Sequence, residues 1–121
     1  MPDAAQAYRT VARQSSSPRE LEATLLLQAA ARLQSVHDSW DENRTQLDAA
    51  LLHNRKLWTV FLTEMIDANN PMPKNVRQNV ANIGLFVMNH TVTAMTDPRP
   101  VHLGSLISIN REIAAGLLGR G

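Results

Sequence analysis

The spacing of apolar side chains between Leu47 and Met65 constrains the fold of this chain more than any other feature. Side chains recur there at steps of three and four residues, which places them on one face of an α-helix. That face comprises Leu47, Leu51, Asn54, Trp58, Phe61, Leu62 and Met65. Only 4% of the residues are aromatic, and Trp58 and Phe61 lie one helical turn apart. The pattern predicts a long helix that packs against other helices.

Two helices are predicted before this stretch. The first is a short alanine-rich helix over residues 3–14, which ends at the serine run 15–17. The second begins at a capping box, because Ser17 supplies a hydroxyl at the N-cap, Pro18 follows at the first helical position, and Glu20 stands at the third. This second helix is predicted to continue to about residue 36.

The third and fourth predicted helices are separated by prolines. Ser39 and Glu42 repeat the capping-box spacing and open the third and longest helix. It ends before the run Asn-Asn-Pro at residues 69–71, and Pro73 can open the fourth. The fourth helix is apolar nearly all round, so it is predicted to lie in the middle of a bundle or to present a second apolar face to a partner. Its Gly84 costs ~1 kcal/mol of helix propensity relative to alanine, which predicts a close helix crossing there.

A final amphipathic helix is predicted after the loop Thr-Asp-Pro-Arg-Pro at residues 96–100, and it ends near Gly119. No run of alternating β-branched residues predicts a strand. A chain of 121 residues suits one hydrophobic core. We therefore predict an all-α fold, a single helical bundle of four main helices plus a short N-terminal helix. One domain is predicted over residues 1–121, in which residues 1–16 form that short helix and its linker.

The balance of charge argues against a broad nucleic-acid-binding surface. The formal net charge is +1, which gives no extended positive field to neutralise several phosphates. The absence of cysteine excludes disulfides and thiolate chemistry and suits the reducing cytosol. The N-terminus lacks the regions of a Sec signal peptide, and no window reaches the ~20 apolar residues of a membrane span. We therefore expect a cytoplasmic protein without membrane insertion and without direct nucleic-acid binding.

Catalytic and metal-binding patterns are missing from the sequence. The four histidines lack the i, i+4 pairing of a helical metal site, and no helix carries Glu-x-x-His. There is neither a nucleophile elbow nor a phosphate-binding glycine loop. A small helical mutase would need converging basic groups and a glutamate, and the spacing of the available ones is not diagnostic. The basic and acidic side chains that could form such a site are Arg55, Lys56, Glu64, Arg77 and Arg111. We predict no catalytic residue, no metal site, no cofactor and no enzyme activity.

The strongest candidate for a binding site surrounds Trp58. In one interpretation Trp58 is a core residue, and the adjacent Arg55 and Lys56 lie over its rim. In the other, the rim formed with Leu62 is a groove for a partner helix, because aromatic and arginine side chains are enriched in binding hot spots. Tyr8 can likewise be a packing residue or a binding residue. The short helix that carries it precedes a serine linker, and such a helix can cover a groove until a partner displaces it. The predicted partner-binding residues are Tyr8, Arg55, Lys56, Trp58 and Leu62.

Four motifs along the chain resemble those of one known family. They are Ser17-Pro18-Arg19-Glu20, Asn54 to Thr59, Asn82 to Val87, and Leu106 to Ile113 followed by Gly116-Leu117. In order and spacing they resemble the flagellar biosynthesis regulator FlaF family of alphaproteobacteria, which also tends to have a tyrosine at the place of Tyr8. The signature residues are Ser17, Pro18, Glu20, Gly84, Phe86, Asn110 and Arg111. At Phe86 the family pattern predicts tryptophan, so this chain keeps an aromatic ring and loses an indole donor.

The resemblance implies a cytoplasmic, non-enzymatic role in flagellum assembly. FlaF proteins promote flagellin synthesis and export and oppose or accompany the translational regulator FlbT. The family is thought to act like a flagellin-dedicated secretion chaperone, and apolar grooves of a bundle can cover the terminal amphipathic helices of flagellin. The alternative is a post-transcriptional regulator that acts on flagellin messenger RNA with or through FlbT. A third possibility is an inert scaffold that dimerises through its apolar fourth helix.

Overall fold

The computed structural model describes residues 17–119, and every regular element in that range is helical. The elements are α1 (Pro18–Asp38), α2 (Trp40–Asn43), a 3₁₀ turn (Arg44–Gln46), α3 (Leu47–Ile66), α4 (Lys74–Thr96) and α5 (Val101–Leu117). The predicted all-α fold with four main helices is therefore confirmed. The short helix predicted at residues 3–14 lies outside the described residues.

The four long helices form an antiparallel bundle. α1 packs against α5 and α3, whereas α4 packs mainly against α3 and less extensively against α5. Arg77 at the start of α4 donates from Nη1 to the carbonyl oxygen of Met65 at the end of α3 over 3.2 Å. Asn110 of α5 donates from Nδ2 to the carbonyl oxygen of Leu26 of α1, also over 3.2 Å. The ring order is thus α1, α3, α4, α5, as in an up-down-up-down bundle.

The start of α1 follows the predicted cap. The backbone N–H of Glu20 donates to Oγ of Ser17 over 3.1 Å, and Ser17 has the extended backbone of an N-cap. Pro18 occupies the first helical position, where its missing N–H leaves no hydrogen bond unmade. Such a cap stabilises a helix by about 1 kcal/mol. The first of the signature motifs therefore sets the point where α1 begins.

The third predicted helix is wrong at its start. Ser39 makes no side-chain cap hydrogen bond to the described residues, and the chain passes through α2 and a 3₁₀ turn before α3 begins at Leu47. Neither short element contributes a buried side chain. Asn43 and Thr45 have weak helix propensity, and Trp40 is the one apolar side chain of residues 39–46 that packs against the core, so little packing energy supports a continuous helix here. Regular helix starts where Leu47 enters the core.

The position of α4 resolves two predicted alternatives. The helix does not lie in the middle of the bundle, since α3 and α5 cover only part of its surface. It leaves Leu85, Phe86 and Val92 exposed, by 58%, 47% and 52%. None of the helices between residues 17 and 119 is long and apolar enough to cross a membrane. Within the described residues, α4 therefore has a second apolar face that no other helix covers.

At Gly84, α4 lies close to the side chains of α3. A Cβ atom added to Gly84 would lie 2.5 Å from Cδ2 of Leu62 and 3.2 Å from Cε3 of Trp58. Both distances are shorter than an ordinary van der Waals contact, so alanine at this position requires Leu62 to move. The close crossing predicted from this glycine is confirmed. It also holds the ring of Trp58 against the backbone of α4.

Candidate functional site

A buried polar network joins three helices at the centre of the bundle. Nε1 of Trp58 donates to Oδ1 of Asn110 over 2.9 Å. Nδ2 of Asn110 donates both to Oδ1 of Asn54, over 2.7 Å, and to the carbonyl oxygen of Leu26, over 3.2 Å. All three side chains are fully buried. Because a buried polar group is costly without a partner, this network specifies how α1, α3 and α5 fit together.

Trp58 is therefore a core residue and not part of a partner-binding surface. Its exposed fraction is 0%, and its ring lies 5.4 Å from the ring of Phe61, centroid to centroid. Its inclusion among the predicted binding residues is corrected by this burial. Leu62 is half-buried beneath α4 at Gly84, so it too serves mainly the packing of α3 on α4. The prediction that Asn54 and Trp58 share one face of the helix is confirmed, because both side chains are buried.

Arg55 and Lys56 are exposed on α3. Half-burial lowers the pKa of the neighbouring His53, and the positive charges of Arg32 on α1 and of Lys56 lower it further. These side chains form a small basic patch across α1 and α3. Arg111, one of the signature residues, is exposed on α5. Tyr8, the remaining predicted binding residue, lies outside the described residues.

An apolar opening lies between α4 and α5, which pack against each other less extensively than α4 packs against α3. One hollow of about 220 Å³ is lined by Ile83, Phe86, Ile109, Glu112 and Ile113. A second hollow of about 200 Å³ shares Glu112 and Ile113 with the first. Its further lining consists of Arg19, Phe61, Met72, Val76, Val80, Gly116 and Leu117. The two hollows therefore form one continuous surface, which we term the α4–α5 groove.

Phe86 marks the rim of the α4–α5 groove. Its ring is half exposed and stacks on the imidazole of His90, with centroids 5.2 Å apart and planes inclined by 13°. The signature position thus presents an aromatic face to solvent, where no buried indole donor is required. Sequence reasoning identified Phe86 and missed Ile109 and Ile113. Their spacing of one helical turn was the signal that could have found them.

A second groove separates α1 from α3. Its apolar lining consists of Leu21, Leu25, Leu57, Val60 and Phe61, around a hollow of about 100 Å³. Glu22 and Glu64 line the same hollow. Partial burial raises the pKa of Glu22 to about 7, assisted by a hydrogen bond to Glu64 and by the charge of Glu64, while Arg19 opposes the shift. We term this surface the α1–α3 groove. No sequence signal indicated it, because its two carboxyls come from separate helices.

His90 of α4 and His102 of α5 lie near the turn that joins these helices. His102 contacts Oδ2 of Asp97 from Nε2 at 3.1 Å, and Arg99 pairs with the same oxygen at 2.8 Å. The other imidazole, His90, lies 3.0 Å from the carbonyl oxygen of His102. Among residues 17–119 no three histidine, cysteine or acidic side chains are placed to hold a metal ion. The cluster therefore serves as a polar closure of the turn.

Comparison with known proteins assigns the chain to a family. The family model described as flagellar protein FlaF matches residues 4–117, which is nearly the whole chain. No curated protein and no solved structure matches it significantly. The match extends over the capped start of α1, the buried Trp58–Asn110 pair and both grooves. The chain belongs to the FlaF family of flagellar proteins.

Proposed function

We propose that this protein is a cytoplasmic, non-enzymatic flagellum assembly factor that promotes flagellin synthesis and secretion as a flagellin-binding export chaperone. The α4–α5 groove is the observation that carries this proposal. A contiguous apolar surface on a small protein is typical of an interaction site, because its exposure to water is unfavourable. Membership of a flagellar protein family supports a flagellar partner for it.

The shape of the groove suits a helix. From Val76 to Phe86 the groove follows α4 over about 15 Å, at 1.5 Å of rise per residue. That length accommodates nearly three turns of an amphipathic segment, whose apolar side chains at i, i+3 and i+7 would enter the two hollows. The terminal segments of flagellin have this character. Their coverage before export would prevent them from associating with one another.

The electrostatic character of the groove is consistent with an apolar mode of binding. Glu112 is the one acidic side chain that both hollows share. Arg19 is the one basic side chain of the lining and belongs to the second hollow, and the other lining residues are uncharged, so little of the affinity should depend on net charge. Arg55 and Lys56 do not line the α4–α5 groove as described. The prediction that Arg55 and Lys56 contact flagellin comes from the sequence and is independent of the α4–α5 groove.

Calorimetry tests the proposal. Purified protein is titrated with full-length flagellin and, as a matched control, with flagellin that lacks its terminal helical regions. Binding to the full-length protein only, with a negative heat-capacity change from apolar burial, is the expected result. Equal binding to both proteins, or binding to neither, would contradict the proposal.

The alternative function is regulation of flagellin messenger RNA with or through FlbT. It predicts a different dependence on salt, because each phosphate neutralised by a basic side chain releases a counterion. Messenger binding should weaken about a hundredfold or more between 50 and 200 mM salt if several phosphates are contacted. Binding of flagellin in the α4–α5 groove should change little over that range. A steep loss with RNA and no affinity for flagellin would favour the alternative.

A third arrangement is a homodimer that buries the exposed face of α4. Light scattering at two protein concentrations separates it from a monomer. A stable dimer that dissociates when Leu85 is replaced by aspartate would assign that face to self-association. The export-chaperone proposal expects a monomer whose mass does not change with concentration.

A further inference from the structure

Phe86 and His90 form a stacked pair of rings on α4. The two residues are four positions apart in the helix, so their side chains are neighbours on one face. Their rings are nearly parallel, at 13°, with centroids 5.2 Å apart. Phe86 lines the first hollow of the α4–α5 groove, whereas His90 lines neither hollow. The imidazole therefore contacts the rim of the groove from outside.

The ring of Phe86 needs a support if it is to keep one orientation at this rim. Its side chain is 47% exposed. An exposed side chain on a helix samples more than one rotamer, and its immobilisation during binding weakens the affinity. A ring that is already fixed in the unbound protein avoids this cost. The stacked imidazole supplies such a support on one face of the ring.

His90 is itself held by the neighbouring helix. Its Nε2 atom lies 3.0 Å from the carbonyl oxygen of His102, in the first turn of α5. A carbonyl oxygen only accepts, so Nε2 must donate, and both the neutral Nε2–H tautomer and the imidazolium do so. The two imidazole rings also make an edge-to-face contact, with centroids 5.8 Å apart and planes inclined by 77°. The half-buried ring of His90 is therefore restrained from two sides.

The restraint continues into the turn between α4 and α5. Nε2 of His102 lies 3.1 Å from Oδ2 of Asp97, and Nη2 of Arg99 pairs with the same oxygen at 2.8 Å. The side chain of His102 is 15% exposed, against 55% for Asp97. Contacts thus lead from the turn through His102 and His90 to Phe86. The ring at the rim is tied to both helices that form the groove.

We propose that His90 is a positioning residue of the α4–α5 groove, which holds the ring of Phe86 in the orientation that receives an apolar side chain of the bound helix. Its effect on binding rests on the proposed flagellin site in that groove. The orientation of the ring in the unbound protein depends on no partner. His90 acts through Phe86 and makes no contact of its own with the bound segment.

Other roles of His90 predict different results. If His90 only tied α4 to α5, its loss would lower the free energy of unfolding and leave the rotamer of Phe86 unchanged in folded molecules. If it contacted flagellin directly, its loss would weaken binding whether or not Phe86 is present. A positioning role predicts an effect on binding that disappears when Phe86 is removed.

The first measurement uses the full chain without a partner. Three-bond couplings from the backbone nitrogen and carbonyl carbon of Phe86 to its Cγ report the populations of the χ1 rotamers. The native protein should show one rotamer, and His90→Ala should show averaged values. His90→Gln keeps an N–H donor for the carbonyl of His102 and lacks the ring, so it should behave like His90→Ala. His37→Ala, at another half-buried histidine, is the matched control and should leave the couplings unchanged. Native rotamer populations in either variant at position 90 would overturn the proposal.

A double-mutant cycle measures the consequence for binding. The affinity for full-length flagellin is measured by calorimetry for the native protein, His90→Ala, Phe86→Ala and the double variant. His90→Ala should raise Kd by about fivefold, which corresponds to ~1 kcal/mol for immobilising one side chain. His37→Ala should raise it by less than about twofold. In the Phe86→Ala background, His90→Ala should also raise Kd by less than about twofold.

Two outcomes separate this proposal from the flagellin assignment. An equal effect of His90→Ala with and without Phe86 would overturn the positioning role, because His90 would then act independently of that ring. If the native protein and Phe86→Ala bind flagellin equally well, the assignment of flagellin to the α4–α5 groove fails. The couplings of the unbound protein then decide by themselves whether His90 positions Phe86.

Discussion

Trp58 and Asn110 are joined by a buried hydrogen bond of 2.9 Å from the indole Nε1 to the amide Oδ1, which ties α3 to α5 across the bundle. Asn110 passes the connection to Asn54 and to the backbone of α1 at Leu26. Because each group is buried, the arrangement fixes the relative positions of three helices. The α1–α3 groove lies between two of these helices, and α5 forms one side of the α4–α5 groove, so the network helps to set the geometry of both surfaces.

Replacement of Asn110 by leucine should destabilise the protein strongly. The change leaves Nε1 of Trp58, Oδ1 of Asn54 and the Leu26 carbonyl without their described partner. We expect a loss of about 2–4 kcal/mol in the free energy of unfolding, measured by urea denaturation. Asn82→Leu, at an exposed asparagine of α4, is the control and should change it by about 0.5 kcal/mol or less. A loss at Asn110 no larger than the control would show that the network contributes little.

Asn54 should tolerate leucine better than Asn110 does. Its Nδ2 is buried and has no hydrogen-bond partner among residues 17–119, so the native side chain already carries an unsatisfied donor. Leucine removes that donor and costs only the acceptor for Asn110, for a net change of about 1 kcal/mol or less. Urea denaturation of the two single variants, measured side by side, ranks them. An Asn54→Leu variant as unstable as Asn110→Leu would contradict this.

Gly84→Ala should destabilise the protein although alanine favours helix. The gain in propensity is about 1 kcal/mol, and the contact with Leu62 should cost about 2 kcal/mol. The net loss should be about 1 kcal/mol by thermal or urea unfolding, and Leu62→Ala in the same chain should relieve the clash. Gly104→Ala is the control, because a methyl group added there would have no described atom of a neighbouring element within 4 Å, and it should stabilise the protein by about 1 kcal/mol.

Asp97 should contribute a pH-dependent stability at the α4–α5 turn. The hydrogen bond from His102, and then that from Arg99, lower the pKa of Asp97 below its ordinary value of 3.8. A carboxyl with a depressed folded pKa stabilises the protein above its unfolded pKa and loses that effect as the pH falls through the folded pKa. Asp97→Asn should therefore lower Tm by about 1–2 °C at pH 6. The difference should shrink as the pH falls below the ordinary pKa of 3.8 in a thermal titration; a constant difference would show that charge is not its cause.

The sequence predicted those parts of the fold that depend on local pattern. The face from Leu47 to Met65 is buried as expected, apart from the half-buried Leu62, because helical periodicity directly reports which side chains meet the core. Ser39 makes no side-chain cap hydrogen bond to the described residues, and the helix after it ends at Asn43, because only Trp40 of that stretch packs against the core. The pattern alone carries no information on that packing.

The grooves required three-dimensional information. The α4–α5 groove arises because α4 packs less extensively against α5 than against α3. The sequence of neither helix shows this difference. Likewise, Glu22 and Glu64 come together only when α1 and α3 lie antiparallel. The family resemblance marked Phe86 as a signature residue, but it did not show that Ile109 and Ile113 line the same hollow.

The affinity of two α4 variants for flagellin tests the central claim most directly. Phe86→Asp places a charge on the rim of the α4–α5 groove, whereas Val92→Asp makes the same kind of change at a similarly exposed site outside it. By calorimetry, Phe86→Asp should raise Kd by about 30-fold or more, as expected for a loss of ~2 kcal/mol at a binding hot spot. Val92→Asp should change Kd by less than about threefold. Equal affinities of the two correctly folded variants would contradict the assignment of flagellin to the α4–α5 groove.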